Sequence, residues 1–200
     1  MRYRVNEIFA SLQGEGWWAG TPMCFIRLSG CNLSCPWCDT SHEHFKLQTE
    51  SEVLKSVERT LEGTRVERVC VTGGEPTLSD LAPLARALAT RYILHLETNG
   101  TRLLSPEEFG FFAWITVSPK FPPGIESLRQ RSGNELKLAI WPGVSDKEVQ
   151  FCMSLEKFQF HCLQPVDDQK LLRNAERCLS LALANGWDVS TQIHKYLGWR

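Results

Sequence analysis

Neither sign of charge prevails in this 200-residue sequence, where 22 Lys and Arg stand against 23 Asp and Glu for a formal net charge of -1. That balance gives no overall field to recruit nucleic acid or an anionic membrane, so neither is expected as a partner and a small-molecule substrate is. Long apolar runs are missing too, and residues 1–9 carry charges inside their short apolar pattern. A signal peptide or membrane span is therefore not expected, and a cytoplasmic location is. No repeat, low-complexity tract or linker interrupts the chain, which leaves residues 1–200 as one expected domain. Its 42 % hydrophobic content suffices for a real core.

Cysteine, by contrast, is plentiful. Eight in a cytosolic chain of this length point to metal or redox chemistry rather than to disulfides. Cys31, Cys35 and Cys38 form one tight group. Cys24, Cys70, Cys152, Cys162 and Cys178 are scattered through apolar segments, where a thiol behaves as a small hydrophobe, and are read as core.

Short β-rich runs predict strands over residues 24–28, 66–71, 92–96, 114–117, 135–140, 158–163 and 188–193. Thr49 with Glu52, and Ser145 with Glu148, have capping-box spacing ahead of helical patterns. Gly63 is expected to close the first of these helices. Ser79 or Asp80 is expected to cap a helix with Pro83 in its first turn, and Asp167 or Asp168 one that ends near Gly186. Ser105-Pro106 begins at most a short helical turn. Strands alternating with helices predict an α/β fold, an incomplete (β/α) barrel of about six parallel strands.

Six polar clusters follow strand C-terminal ends: Ser29-Gly30-Cys31, Thr72-Gly73-Gly74-Glu75-Pro76, Glu97-Thr98-Asn99-Gly100, Ser118-Pro119-Lys120, Gln164-Pro165 and Gln192-Ile193-His194-Lys195. In parallel barrels that rim is where ligands bind.

The C-x3-C-x2-C spacing of Cys31, Cys35 and Cys38 can wrap three thiolates around three corners of a [4Fe-4S] cube. Clusters that only transfer electrons usually have four cysteines, so an open corner invites an outside ligand such as S-adenosylmethionine (SAM). Spacing alone leaves two alternatives open: zinc completed by a histidine such as His42 or His44, or a ferredoxin site with a distant fourth cysteine.

With this loop after the first expected barrel strand and Gly73-Gly74-Glu75-Pro76 downstream, the chain resembles the radical-SAM superfamily. Within it, the sequence is similar from end to end to the 7-carboxy-7-deazaguanine synthase family. The match runs through Leu12-Gln13-Gly14-Glu15-Gly16, Phe25-Ile26-Arg27-Leu28, Cys38-Asp39-Thr40, Val71-Thr72-Gly73-Gly74-Glu75-Pro76, Glu97-Thr98-Asn99-Gly100, Ser118-Pro119-Lys120 and Gln192-Ile193-His194-Lys195. The resemblance implies a carbon–nitrogen lyase of queuosine and deazapurine biosynthesis. It would convert 6-carboxy-5,6,7,8-tetrahydropterin to 7-carboxy-7-deazaguanine with loss of ammonia, using a [4Fe-4S] cluster, SAM and Mg2+. A reducing donor such as flavodoxin and a homodimer are implied as partners.

The same resemblance distributes the residues. Trp37, Cys38, Asp39, Gly74, Ser118, Pro119 and Lys120 go to SAM, with Gln164 and Asp167 as weaker candidates, and Thr40 to Mg2+ by resemblance only. Leu12, Gln13, Gly14, Glu15, Arg27, Thr72 and His194 go to the substrate; a guanidinium such as Arg27 suits a bidentate grip on a carboxylate. The C-terminal carboxylate, here that of Arg200, would also reach the pterin. Gly198-Trp199-Arg200 departs from the family's usual proline ending, and Gln164-Pro165-Val166 lacks a methionine often found there. Two rival functions remain at this point: an activase of glycyl-radical enzymes, and a non-enzymatic metal-binding or electron-transfer module. The pair Trp17-Trp18 fits a dimer interface or a buried core equally well.

Overall fold

A computed structural model describes residues 1–41, 44–121 and 124–199. His42, the Pro122-Pro123 pair and Arg200, with its expected substrate contact, lie outside the described residues.

Among the described residues nine strands form one sheet: β1 (Tyr3–Leu12), β2 (Pro22–Leu28), β3 (Lys46–Gln48), β4 (Arg68–Gly73), β5 (Ile93–Thr98), β6 (Trp114–Val117), β7 (Glu135–Ile140), β8 (Phe160–Pro165) and β9 (Asp188–Val189). Their order is β3-β1-β2-β4-β5-β6-β7-β8-β9. From β2 through β4 to β9 every neighbouring pair is parallel, whereas β1 runs antiparallel to both β2 and β3. The result is the expected α/β architecture, a mostly parallel sheet that does not close.

Two strands escape the sequence reading, β1 and β3. In β1 the buried Tyr3 and Val5 join the helix-side cluster with Ile8 packed against it, while Phe9 falls in a separate cluster, because the register shifts between Val5 and Glu7. A bulge of this kind breaks the period of two on which strand recognition depends. The strand expected over 188–193 is corrected as well: β9 has two residues, and Ile193 opens a helix.

The helices are α1 (Glu50–Thr60), α2 (Ala82–Leu88), α3 (Pro106–Phe111), α4 (Asp146–Met153), α5 (Leu171–Asn185) and α6 (Ile193–Tyr196). Capping boxes at Thr49/Glu52 and Ser145/Glu148 start α1 and α4 as expected, and Ser105/Glu108 forms a third before α3. The expected caps Ser79/Asp80 and Asp167/Asp168 are displaced: Leu81 precedes α2 and Lys170 precedes α5. Asp80 and Asp168 instead accept from backbone N–H groups two residues ahead, at Ala82 (3.1 Å) and Lys170 (2.7 Å), so each forms a turn at the entry.

One face of the sheet packs against the helices. Val53 and Val57 of α1, Leu84 and Leu88 of α2, Val149 and Cys152 of α4, and Cys178 of α5 join Ile26, Val69, Leu94, Ile115, Leu136 and Leu138 in a single apolar cluster. All five cysteines read as core are buried. Because strand side chains alternate, the opposite face carries the residues between these: a small apolar cluster of Phe9, Met23, Phe25 and Cys70, and a polar set of Arg27, Thr72, Glu97, Thr116, Glu135, Lys137 and Gln164.

At one end of this inner face the β1–β2 loop tucks aromatic side chains inside. Trp18 lies edge-on to His95 and Trp114, at 5.4 Å from each, and under the Arg68 guanidinium at 4.3 Å. Trp17 packs tilted against Phe160, ring centroids 3.8 Å apart, but stays half exposed.

Candidate active site

The polar inner face lines two adjoining cavities, of about 260 and 610 Å3. The first is walled by Cys31, Cys35, Cys38, Trp37, Asp39, Gly74, Ser118, Lys120, Gln164 and Asp167. Every residue assigned to SAM by resemblance is on it except Pro119, which is buried between two lining residues. The second is walled by Leu12, Gln13, Gly14 and His194. Glu15, Arg27, Thr40, Thr72 and Glu97 belong to both.

Unlike the five buried thiols, Cys31, Cys35 and Cys38 are partly or fully accessible. Among the described residues no three His, Cys, Asp or Glu gather closely enough to hold one ion. Three thiols spread around a cavity suit a group that takes one ligand per corner, as an iron–sulfur cube does. Burial raises the Cys31 and Cys35 thiols; the Leu33 N–H opposes this at Cys31 and Lys120 at Cys35, while neighbouring thiols add to it. Such thiolates call for a positive partner, which iron supplies.

The cysteine loop is held from behind. Leu33 N–H donates to Cys31 Sγ at 3.4 Å, and Asn99 Nδ2 donates to Asn32 Oδ1 at 3.2 Å. Asn99 is set in turn by Glu75, a fully enclosed carboxylate that accepts from Asn99 N (2.6 Å), Thr98 Oγ1 (2.7 Å), Thr77 Oγ1 (2.6 Å) and Thr77 N (3.0 Å). The glutamate of the Gly-Gly-Glu-Pro segment therefore ties the β4 and β5 loops together. Gly74 has a separate reason: a Cβ there would sit 2.1 Å from the Gly30 carbonyl oxygen. Only glycine lets the two loops approach this closely.

On the other side, Arg27 Nε donates to Glu7 Oε1 at 2.8 Å, across the β1–β2 pair, and its NH1 donates to Thr40 Oγ1 at 3.3 Å. The fork is thus aimed into the shared wall. Gly14 lies against the His194 ring, where a Cβ would meet Nδ1 at 1.8 Å. The C-terminal segment stitches the site together: Ile193 N donates to Gly14 O (3.0 Å), Gly16 N to Ser190 Oγ (2.8 Å), and Ser190 Oγ to Gln164 Oε1 (2.8 Å). Lys195 bridges Asp39 and Asp167.

Sequence reasoning assigned no role to Lys137 and Glu97. The Lys137 ammonium is enclosed, 2.7 Å from Glu15 Oε2 and 3.0 Å from Glu97 Oε2. Burial would lower it, but Glu15, Glu97 and Glu135 together hold it well above the usual lysine value. Burial lifts Glu97 to about 7 despite Lys137, whereas at Glu15 the lysine and its hydrogen bonds outweigh burial and bring the carboxyl to about 2. A signal was available: Glu135 and Lys137 are charges at i and i+2 in an apolar strand, hence on one face, the one away from Leu136 and Leu138.

Comparison with known proteins agrees with this arrangement. Residues 25–114 match the Radical SAM superfamily. The 7-carboxy-7-deazaguanine synthase of Escherichia coli (strain K12) is 34 % identical, over 98 % of this chain and 99 % of its own length. That of Synechocystis sp. is 35 % identical, over 99 % and 94 %. The crystal structure of QueE from Escherichia coli superposes with a TM-score of 0.75 at 27 % identity, covering 96 % of this chain and 94 % of that one. With an inner face, a cysteine loop and full-length relatives all in agreement, this chain belongs to the 7-carboxy-7-deazaguanine synthase family of the radical SAM superfamily.

Proposed function

We propose that this chain converts 6-carboxy-5,6,7,8-tetrahydropterin to 7-carboxy-7-deazaguanine with loss of ammonia. The observation that carries the reading is the shared wall: a cavity lined by three accessible cysteines adjoins one lined by Gln13, Glu15, Arg27 and His194. Cysteines 31, 35 and 38 would hold a [4Fe-4S] cluster, and Trp37, Asp39, Gly74, Ser118, Pro119, Lys120, Gln164 and Asp167 would hold SAM. Together these groups supply, when bound, a radical able to abstract hydrogen from the substrate.

The chain's own residues bind and orient. Arg27 offers its fork to the substrate carboxylate, with Glu7 steadying the guanidinium. Gln13 and Glu15 present acceptors and donors to the heterocycle, and Thr72 and His194 complete that wall. Thr40, whose hydroxyl faces Arg27, is the proposed protein ligand for Mg2+, substrate oxygens and water supplying the rest of an octahedron. The partners proposed with this reading are a reducing donor such as flavodoxin and a second copy of the chain. A cytoplasmic site of action belongs to the same proposal.

The test is turnover under oxygen-free conditions. Cluster-loaded protein should convert the carboxy-tetrahydropterin in a SAM-dependent, Mg2+-stimulated reaction, and substoichiometric SAM should support many turnovers. An intact cluster that yields no product overturns the reading.

A further inference from the structure

We infer that Lys137 is a positioning residue for substrate recognition: it holds Glu15 and Glu97 as a matched pair of acceptors for the donor-rich edge of a 2-amino-4-oxo heterocycle. This deepens the function proposed above and rests on it.

The geometry is that of a backing charge. The Lys137 side chain is 4 % exposed, while those of Glu15 and Glu97 are 20 % and 19 % exposed. Both carboxylates line both cavities, whereas Lys137 lines only the cysteine-walled one, so toward the second cavity the carboxylates stand in front of the ammonium. One oxygen of each goes to the ammonium, at 2.7 and 3.0 Å. The other takes a glutamine from a different element: Gln192 Nε2 donates to Glu15 Oε1 at 2.6 Å, and Gln13 Nε2 donates to Glu97 Oε1 at 3.3 Å. The β1–β2 loop, β5, β7 and the C-terminal segment thus converge on one cation.

Two carboxylates side by side in a poorly solvated wall resist ionising together. Glu135 on β7 adds a third negative charge, and Cys70 on β4 also faces Glu97. Against these stand Lys137, with Arg27 and Lys120 on the neighbouring walls. Glu15 is held ionised at about 2, and Glu97 sits near 7. Without the ammonium both carboxyls move up, Glu97 goes from partly to fully protonated at neutral pH, and a protonated carboxyl loses acceptor capacity toward a ring N–H or amino group. The fixed ammonium also sets the spacing of the two acceptors, which decides whether an edge with adjacent donors fits.

The experiment compares wild type, Lys137→Met and Lys137→Arg as full-length, cluster-loaded proteins. An infrared titration of the protonated-carboxyl band should show a group titrating near 7 in wild type, shifted upward in Lys137→Met and largely restored in Lys137→Arg. Binding of 6-carboxypterin, followed by its fluorescence, should weaken tenfold or more in Lys137→Met and recover in Lys137→Arg. If Lys137→Met does not fold, Lys137→Gln carries the same readouts. A titration left in place, or a dissociation constant within twofold of wild type, overturns the inference. Wild type that binds 6-carboxypterin through this network yet gives no product would defeat the proposed function and not the role of Lys137.

Discussion

Asp39 Oδ2 lies 2.9 Å from Lys195 Nζ, so the residue that follows the last cysteine of the loop is tied to α6 near the C-terminus. The same ammonium stands 3.5 Å from Asp167 Oδ2 on the loop after β8. Three segments remote in sequence therefore meet on one charge at the rim of the cysteine-lined cavity.

The Lys195 side chain is 30 % exposed and that of Asp39 59 %, so the direct contribution of the bridge to stability is small, on the order of 0–1 kcal/mol. Lys195→Met should leave the melting temperature almost unchanged. SAM affinity of the cluster-loaded protein should fall several-fold, because Asp39 and Asp167 lose their common anchor. Equilibrium binding beside a thermal melt checks this, and a large drop in melting temperature with unaltered affinity would contradict it.

The two classes of cysteine should separate cleanly. Cys35→Ala should abolish cluster loading, read from iron content and visible absorbance, together with activity. Cys178→Ala removes a fully buried thiol from the helix side of the sheet, far in role from the loop, and should leave loading intact. Equal loss in both variants would remove the distinction.

Glu75 gives a stability prediction with a loop consequence. Its two oxygens accept from four donors and none of the four is a cation. Glu75→Gln turns one acceptor into a donor facing a donor inside the protein, a cost of about 1–3 kcal/mol. The melting temperature should drop, and Asn99, which leans on Asn32 of the cysteine loop, should lose its setting. The check is slower or incomplete cluster reconstitution in a variant that still folds.

Acid should weaken the fold through His95. Burial first, and the Arg68 guanidinium second, lower this imidazole to about 4. Arg68 NH1 lies 3.1 Å from His95 Nε2, and since a guanidinium only donates, Nε2 is the unprotonated nitrogen. Above pH ~6.5 the ring is neutral in folded and unfolded chains alike. As pH falls from there toward 4, the unfolded chain takes up a proton that the folded one refuses, so stability declines, by up to about 3 kcal/mol. Denaturant unfolding at pH 7 and pH 5 should show a smaller loss for His95→Gln than for wild type.

Local chemistry carried the sequence reading wherever the information was local. Capping boxes at Thr49 and Ser145 need residues three apart, and the structure has both. The alternation of β7, the apolar character of Cys24 or Cys178 and the spacing of the cysteine loop are equally short-range. The bulged β1 and the three-residue β3 were lost because their pairing, and not their pattern, makes them strands.

By itself the amino-acid sequence determined an α/β fold of parallel strands with a polar rim and a loop of three closely spaced thiols, since period, caps and spacing are written along the chain. Tertiary structure alone decided which charges share a wall. Lys137 reaches Glu15 across 122 positions and Glu97 across 40, and Gln192 reaches Glu15 across 177. Parallel strands with crossover helices bring such distant residues together on one face, where scarce solvent makes each charge depend on its neighbours.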